Sequence, residues 1–318
     1  MKTIVVGGAG FVGSHLAEAL LAAGDEVTVI DNLLTGRENN IRAMLGNPNF
    51  CFVRRDAISP LTESELAEWG DSDRLYYLAS PAAPDDYYTY PIETLLVNSV
   101  GTYNFLRLAE ASGARFLLTS TSEAYGDPMV HPQVESYWGN VNPVGPRSCY
   151  DEGKRFAEAM TTTFVREGKT DARVVRIFNT YGPRMKINDG RVVPNFIYQS
   201  LKGEPLTIYG DGSYTRSFCY VSDLVRGLRT VMEGAPELCS GEVYNLGNPD
   251  EYTIKQFAVE IMNACGVDLA INYEPTRPDD PTRRKPDITK VQTRLGWQPM
   301  VSLEAGLGET IQWFRDHL

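Results

Sequence analysis

Tyr150 and Lys154 stand four residues apart in a stretch that predicts a helix, and this spacing could serve proton transfer. Residues four apart on a helix project from the same face, one turn above the other. A lysine cation beside a phenol favours the phenolate, so we expect Lys154 to lower the pKa of Tyr150 from its ordinary value of about 10. The pair therefore predicts a base that removes a proton from an alcohol near neutral pH.

A group that could hold this alcohol precedes the pair. Residues 115–119 form an apolar run that predicts a buried strand, and the run leads into the hydroxyl-rich stretch 120–123 (STSE). In α/β sheets, ligands bind at the C-terminal ends of the strands. A hydroxyl in this stretch could hold a substrate alcohol against the phenol while another group takes a hydride.

The Tyr-x-x-x-Lys spacing is a weak signal by itself. With 17 tyrosines and 8 lysines in 318 residues, about 0.4 matches arise by chance. The alternative is a surface helix on which Tyr150 is half-buried and Lys154 is solvated. The rest of the chain must decide between them.

A glycine-rich segment near the N-terminus favours the chemical interpretation. Gly7, Gly10 and Gly13 follow a predicted strand and open a predicted helix. Glycines let the backbone turn tightly and approach a pyrophosphate, which the positive N-terminus of the helix attracts. The next predicted strand ends in Asp31, whose carboxylate would accept hydrogen bonds from ribose hydroxyls and repel a 2′-phosphate. This pattern predicts NAD rather than NADP; the alternative is a structural βαβ unit with incidental glycines.

Other segments are placed to complete a cofactor site. Asp56 would meet an adenine edge and residues 78–80 would line the cofactor, although plain turn chemistry is the alternative for both. The predicted cofactor contacts are Gly7, Gly10, Phe11, Val12, Gly13, Asp31, Asn32, Asp56, Ala57, Leu78, Ala79, Ser80, Tyr150 and Lys154.

The order of predicted elements indicates the fold class. Strands and helices alternate through residues 1–178, which favours an α/β fold with a doubly wound parallel sheet of the Rossmann type. The later pattern is less regular, with one helix that Thr253 is expected to cap. We predict an NAD-binding domain over residues 1–178, to which 213–240 crosses back. A smaller α/β C-terminal substrate lobe would comprise residues 179–212 and 241–318.

Composition excludes several classes of partner. A net charge of −11 argues against nucleic acid, and no apolar run approaches the length that spans a membrane. The chain enters a strand at once, leaving no room for a signal peptide, and its five scattered cysteines suit a reducing compartment. A cytoplasmic protein with no membrane partner is expected. His15, His131 and His317 are too far apart in sequence to suggest a local metal site.

Together, the glycine pattern, Asp31 and the Tyr150–Lys154 pair resemble an extended short-chain dehydrogenase/reductase over the full chain. Within that superfamily the sequence is similar to UDP-glucuronate decarboxylases, also called UDP-xylose synthases. The resemblance is carried by residues 78–84 (LASPAAP), 119–128 (TSTSEAYGDP), 137–155 (YWGNVNPVGPRSCYDEGKR), 176–185 (RIFNTYGPRM), 188–193 (NDGRVV) and 279–288 (DDPTRRKPDI).

The resemblance implies NAD as cofactor, a UDP-sugar as substrate and a role for each matching residue. Thr121 would hold the sugar O4, Tyr150 would be the base for oxidation at C4, and Lys154 would also bind the nicotinamide ribose. Glu123 would face the sugar near C5, and Arg284 would help to manage the proton delivered there. The expected substrate contacts are Ser122, Asn179, Arg191, Tyr209, Arg216 and Arg284. For Tyr209, as for Tyr87, packing is the more ordinary role.

The implied reaction is chemically coherent. Oxidation at C4 places a ketone β to the C6 carboxylate, and the ketone can accept the electrons released when CO2 leaves. A 4,6-dehydratase is disfavoured because its acid for the leaving hydroxyl would be Ser122 here. A 4-epimerase, which shares the oxidation at C4, stays open. A non-catalytic NAD sensor is disfavoured because Tyr150 and Lys154 are both present. The superfamily also implies a homodimer formed by helices near 92–111 and 150–168.

Overall fold

The computed structural model describes residues 1–187 and 189–318. Asn188, which opens the 188–193 stretch, lies outside the described residues. The strands are β1 (Lys2–Val6), β2 (Glu26–Asp31), β3 (Phe50–Arg54), β4 (Arg74–Tyr77), β5 (Arg115–Thr121), β6 (Ala172–Ile177), β7 (Thr180–Tyr181), β8 (Leu206–Tyr209), β9 (Thr215–Ser217), β10 (Cys219–Tyr220), β11 (Val243–Leu246), β12 (Glu251–Thr253) and β13 (Ile271–Glu274). The α-helices are α1 (Phe11–Ala22), α2 (Glu63–Trp69), α3 (Pro84–Thr89), α4 (Pro91–Leu96), α5 (Thr102–Ser112), α6 (Ser148–Arg166), α7 (Val192–Lys202), α8 (Val221–Glu233), α9 (Pro236–Cys239), α10 (Ile254–Cys265), α11 (Thr289–Leu295) and α12 (Leu303–His317).

Seven strands form one parallel sheet in the order β11-β6-β5-β4-β1-β2-β3. The strand order reverses at β1, which is the arrangement of a doubly wound sheet. The predicted α/β Rossmann fold is confirmed.

Apolar side chains of the sheet point alternately to two separate cores. Successive residues of a strand face opposite sides, so Val5 packs with α1 and α8 while Ile4 and Val6 pack with α5 and α6. Helices therefore cover both faces. This explains why the strands read as continuous apolar runs rather than as alternating ones.

Strand β11 belongs to the large sheet, although the predicted domain boundary placed it in the substrate lobe. The boundary at residue 241 assigned it to the substrate lobe, but β11 pairs with β6 and completes the large sheet. The physical reason is burial: Tyr244 and Leu246 pack into the core beside α8. The segment that returns to the sheet thus extends through Leu246, and the rest of the predicted division stays a prediction.

Part of the C-terminal half gathers around a third core, in the region of the predicted substrate lobe. Helices α7, α10 and α12 pack with the parallel pair β8–β13, and residues such as Phe196, Ile208 and Phe257 are buried between them. Thr253 caps α10 as predicted: its hydroxyl accepts a hydrogen bond from the Gln256 backbone N–H, and its own backbone N–H donates to the Gln256 side-chain oxygen.

Candidate active site

A cavity of about 420 Å³ lies at the carboxyl ends of the sheet strands, the edge where sheets of this class bind ligands. Its wall includes residues at the ends of β1, β2, β5 and β6 and extends into the substrate lobe. All of the predicted cofactor contacts line this cavity, and so do the predicted substrate contacts other than Arg284. Their individual roles stay predictions.

The glycine-rich turn has no room for side chains. A Cβ atom on Gly13 would lie 2.3 Å from the carbonyl oxygen of Gly7, and one on Gly7 would lie 2.6 Å from the backbone nitrogen of Ala79. Gly7 also has a φ of +82°, which L-residues rarely adopt. The backbone itself forms the cavity wall at the start of α1, so a phosphate can approach the helix N-terminus closely.

Asp31 ends β2 with its carboxylate at the cavity wall. It accepts hydrogen bonds from the backbone N–H groups of Ala9 (3.0 Å) and Leu33 (2.8 Å). Burial raises the pKa of Asp31, and these two bonds partly oppose the rise. Beside it, Asn32 donates to Asp56 (3.1 Å). The two backbone hydrogen bonds to Asp31 fix the orientation of its carboxylate. A fixed carboxylate suits the predicted recognition of ribose hydroxyls.

Three predicted catalytic groups meet on the same wall. Thr121 is the last residue of β5, and Tyr150 and Lys154 lie one turn apart near the start of α6. The Lys154 ammonium is only 3% exposed and donates to the Thr119 carbonyl (2.9 Å). The ring of Tyr150 stacks on Tyr87, with centroids 5.2 Å apart and planes at 7°. The alternative of a solvated surface pair is wrong.

The expected effect of Lys154 on the tyrosine is not observed in the protein alone. Burial raises the pKa of Tyr150, and a hydrogen bond with Thr121 only partly offsets the rise. Burial also lowers the pKa of Lys154 to about 7, although Glu158 opposes this shift. The prediction that Lys154 brings the pKa of the phenol towards neutrality is therefore wrong for the protein alone, because burial of the phenol itself outweighs the contacts that favour the phenolate.

Glu123 faces the same cavity from the turn after β5. It accepts hydrogen bonds from Arg147 (2.6 Å) and Arg284 (3.1 Å). Burial would raise the pKa of Glu123, but the charges of Arg284, Arg147 and Arg216 outweigh it and hold the pKa well below its usual range. Glu123 is thus ionised, which suits a group that orients or accepts a proton rather than one that donates it.

Arg284 is placed differently from the other predicted contacts. It is 1% exposed and lies behind Glu123, where it donates to the Ser122 carbonyl and to the Glu123 carboxylate. Among the described residues that line the cavity, Arg284 is not found. Its geometry supports a contact with the protein, and a direct contact with substrate stays a prediction.

The arginines on the lobe side line the cavity as predicted but carry protein partners. Arg216 donates to Asp280 (3.1 Å), and Arg191 donates to the buried Asp189 (2.9 Å). Tyr209 packs under the Arg277 guanidinium, 4.3 Å from its ring centroid. Asn179 lies on the same side. This side of the cavity can accept an anionic ligand through arginine forks.

Arg147, Asp151 and Asp280 were missed by the sequence reasoning, although they belong to this charged region. Arg147 links Glu123 to Asp151 (3.9 Å) and Asp280 (3.7 Å). The spacing of Arg147 and Asp151, four residues apart at the start of the Tyr150 helix, could have shown that pair. No local pattern marks Asp280, which is 133 positions away from Arg147 in the sequence.

The chain matches the protein-family model described as GDP-mannose 4,6 dehydratase over residues 4–310. It is 52% identical to UDP-glucuronic acid decarboxylase 2 of Arabidopsis thaliana over 318 residues, all of this chain and 69% of the relative. It is also 52% identical to UDP-glucuronic acid decarboxylase 1 of Xenopus tropicalis over 317 residues, 100% of this chain and 73% of the relative.

The chain belongs to the UDP-glucuronic acid decarboxylase family. Solved structures with similar folds include proteins of other named activities. A UDP-glucuronic acid 4-epimerase from Bacillus cereus, in complex with UDP-glucuronic acid and NAD, superimposes with a TM-score of 0.89 at 28% identity, with full coverage of both chains. The UDP-glucose 4-epimerase of Thermotoga maritima gives 0.88 at 30% identity, covering 100% and 99%. The fold is shared with epimerases, whereas the higher full-length identity is to the UDP-glucuronic acid decarboxylase family.

Proposed function

We propose that this protein is an NAD-dependent enzyme that converts UDP-glucuronate to UDP-xylose and CO2. The observation that carries the proposal is a single cavity in which Thr121, Tyr150 and Lys154 lie beside the ionised Glu123. Full-length identity of 52% to UDP-glucuronic acid decarboxylases supports the same activity.

The residues at the cofactor side fit NAD. The side-chain-free turn at Gly7 and Gly13 would hold the pyrophosphate, and Asp31 would bind the adenosine ribose. When bound, NAD supplies an acceptor for the C4 hydride and later the donor that returns it. Lys154 lies one turn after Tyr150 on the same face of α6, and it would bind the nicotinamide ribose.

The protein groups would move protons and stabilise charge around the sugar. Burial raises the pKa of Tyr150 in the protein alone, but the positive charge of a bound oxidised nicotinamide would favour the phenolate. In that form Tyr150 would take the O4 proton while the C4 hydride leaves, and Thr121 would hold the resulting ketone by a hydrogen bond. The C5–C6 bond then breaks, CO2 departs, and the electron pair is held as an enolate on O4. A proton taken up from water would then add at C5 and restore the ketone. Return of the hydride to C4, with the Tyr150 proton to O4, would complete the product.

Product analysis tests this function. Purified protein incubated with UDP-glucuronate and NAD should release CO2 and form UDP-xylose, both measurable by NMR. A product with the carbon count of glucuronate retained, such as UDP-galacturonate, would instead establish a 4-epimerase. No turnover by the intact protein would contradict both.

The base is tested by a matched pair of tyrosine substitutions. Tyr150→Phe should lower kcat by about 1000-fold because the proton acceptor is lost. Tyr273→Phe, at an exposed position on β13, should leave kcat unchanged. Equal activity of the two variants would remove Tyr150 from the mechanism.

We further propose a homodimer formed by the region 91–112 and α6. Several apolar side chains there are exposed, including Ile92 (61%) and Phe156 (48%), and such patches mark interaction surfaces. Light scattering should give twice the chain mass, and Phe156→Glu should give a monomer. A monomeric parent protein would contradict this proposal.

We also propose a cytoplasmic location. All five cysteines are free, which suits a reducing compartment. Within the described residues, the helices fall short of the length and apolar character needed to cross a bilayer. Fractionation that recovers the protein with a secreted marker would contradict the location.

A further inference from the structure

Arg147 stands at the junction of the two halves of the active site. It is the residue that precedes α6, and its carbonyl accepts hydrogen bonds from the backbone N–H groups of Tyr150 (3.0 Å) and Asp151 (3.1 Å). Its side chain is buried and lines the cavity. The main chain of Arg147 therefore fixes the first turn of the helix that carries Tyr150, while its guanidinium is free to reach across the site.

One side of this guanidinium contacts the aromatic pair. The guanidinium carbon lies 5.8 Å from the ring centroid of Tyr87, whose other neighbour in the stack is Tyr150. A guanidinium over an aromatic face is attracted by the ring, more strongly when water is excluded. Tyr87 thus contacts both Arg147 and the ring of Tyr150, with Tyr88 against it edge-on at 4.9 Å between centroids.

The other side of the guanidinium contacts Glu123. Arg147 donates to the Glu123 carboxylate at 2.6 Å, a charge-assisted bond. The same group lies near Asp151 and Asp280. Arginine suits these simultaneous contacts because its planar fork carries five donors, whereas lysine carries a single point charge.

We propose that Arg147 is a positioning residue for this reaction. A single guanidinium sets the place of Glu123 beside C5 and, through Tyr87, the place of the Tyr150 ring beside O4. The inference rests on the proposed function, since it assigns those two groups to the two reacting carbons. It adds a residue that acts through its contacts with Glu123 and Tyr87.

Charge balance makes this role testable by pH. Charged and titratable groups from several elements surround Glu123 and Arg147: Tyr150 and Asp151 of α6, Tyr87 of α3, Arg216 of β9, and Asp280 and Arg284 of the C-terminal loop. Removing one of the cations weakens the stabilisation of the Glu123 carboxylate. Protonation of Glu123 should then occur at higher pH, and the acid limb of the kcat profile should move upwards.

The experiment compares three variants of the full-length protein with saturating NAD. Arg147→Met should lower kcat by about 10- to 100-fold with KM for UDP-glucuronate within about threefold, and should move the acid limb to higher pH. Arg147→Lys keeps the charge, so it should restore most of the acid limb but only part of kcat. Arg155→Met removes an arginine of the same helix that bonds the Ala124 and Trp138 carbonyls, and it should leave the pH profile unchanged.

Each outcome decides the inference. An unchanged pH profile in Arg147→Met, or an equal shift in Arg155→Met, would overturn it. If Arg147→Met does not fold, Arg147→Lys decides, because full kcat in that variant would contradict a need for the guanidinium. Turnover of UDP-glucuronate by the parent protein is measured first, so absence of CO2 there counts against the proposed function, whereas normal parent turnover with unaffected variants counts against Arg147 alone.

Discussion

The two walls of the cavity are built on different principles. The wall proposed to hold the cofactor, here called the cofactor wall, includes main chain at Gly7 and Gly13, where even one added carbon would meet backbone atoms. The other wall, here called the charged wall, belongs to a cluster in which Arg147, Arg216 and Arg284 face the carboxylates of Glu123, Asp151 and Asp280. Within that cluster, Arg284 and Asp151 lie behind the residues that line the cavity. The cofactor wall is sensitive to added side-chain volume, because displacing backbone atoms costs a large free energy. The charged wall is sensitive to the balance of positive and negative side chains, because an unpaired buried charge lowers stability.

The largest effect should come from adding volume to the cofactor wall. Gly13→Ala places a Cβ against the Gly7 carbonyl, so we expect about a 100-fold loss of NAD affinity and a fall of about 3 kcal/mol in the free energy of unfolding. Calorimetric titration with NAD and urea unfolding measure these. Gly308→Ala is the control: no atom lies within 4 Å of its added Cβ, and a helical alanine should stabilise by about 0.5–1 kcal/mol. Similar losses in both variants would show that volume at the turn is not the cause.

Lys154 also lines the cavity, and its substitution should change activity and stability in opposite directions. Lys154→Met should lower kcat by about 100-fold, yet raise the free energy of unfolding at pH 6 by about 2 kcal/mol. Burial lowers the pKa of Lys154 to about 7 in the folded protein. Stability from the lysine is therefore lost as pH falls from its unfolded pKa of 10.5 through 7, so the gain should shrink towards pH 10. The exposed Lys202→Met should change neither quantity; a pH-independent gain at Lys154 would refute this explanation.

The smallest effect should come from relieving the charged wall. Burial, and then the charge of Glu123, raise the pKa of Asp151 to about 7. A raised carboxyl pKa means that stability present below the unfolded value of 3.8 is lost as pH rises through 7. Asp151→Asn should therefore stabilise by about 1–2 kcal/mol at pH 8 and not at pH 4, as followed by urea unfolding. Glu152→Gln, at the neighbouring more exposed position, should stay within about 0.5 kcal/mol at both pH values. A gain that persists at pH 4 would rule out titration of Asp151.

The same contrast explains what the sequence could predict. The glycine turn, Asp31 and the Tyr150–Lys154 spacing are short-range patterns whose geometry follows from one strand and one helix, and all of them line the cavity. The sheet followed from alternating elements, since each strand and helix carries its own periodicity. Thr121 could be predicted because the apolar residues in the first part of β5 lead directly into the hydroxyl residues at its end.

The charged wall could not be predicted because its members come from distant parts of the chain. Arg147 meets Glu123 across 24 positions, and Arg284 meets it across 161. Sequence reasoning gave Arg284 a substrate contact, whereas folding buries it behind Glu123. The pKa of Tyr150 failed for a similar reason: the spacing shows that a lysine is near, but only the fold shows how little water reaches either group.

Strand β11 lies far along the chain from its partner β6, and this separation affects folding during synthesis. Strand β6 ends at Ile177, and its partner begins only at Val243. During synthesis, the sheet therefore keeps one edge unpaired while four strands, β7 to β10, and three helices, α7 to α9, emerge from the ribosome. A chain truncated after residue 178 would keep that edge open to neighbouring molecules. The cofactor-binding half is thus not a separable piece, and cutting the gene between the halves should yield aggregates rather than two soluble parts.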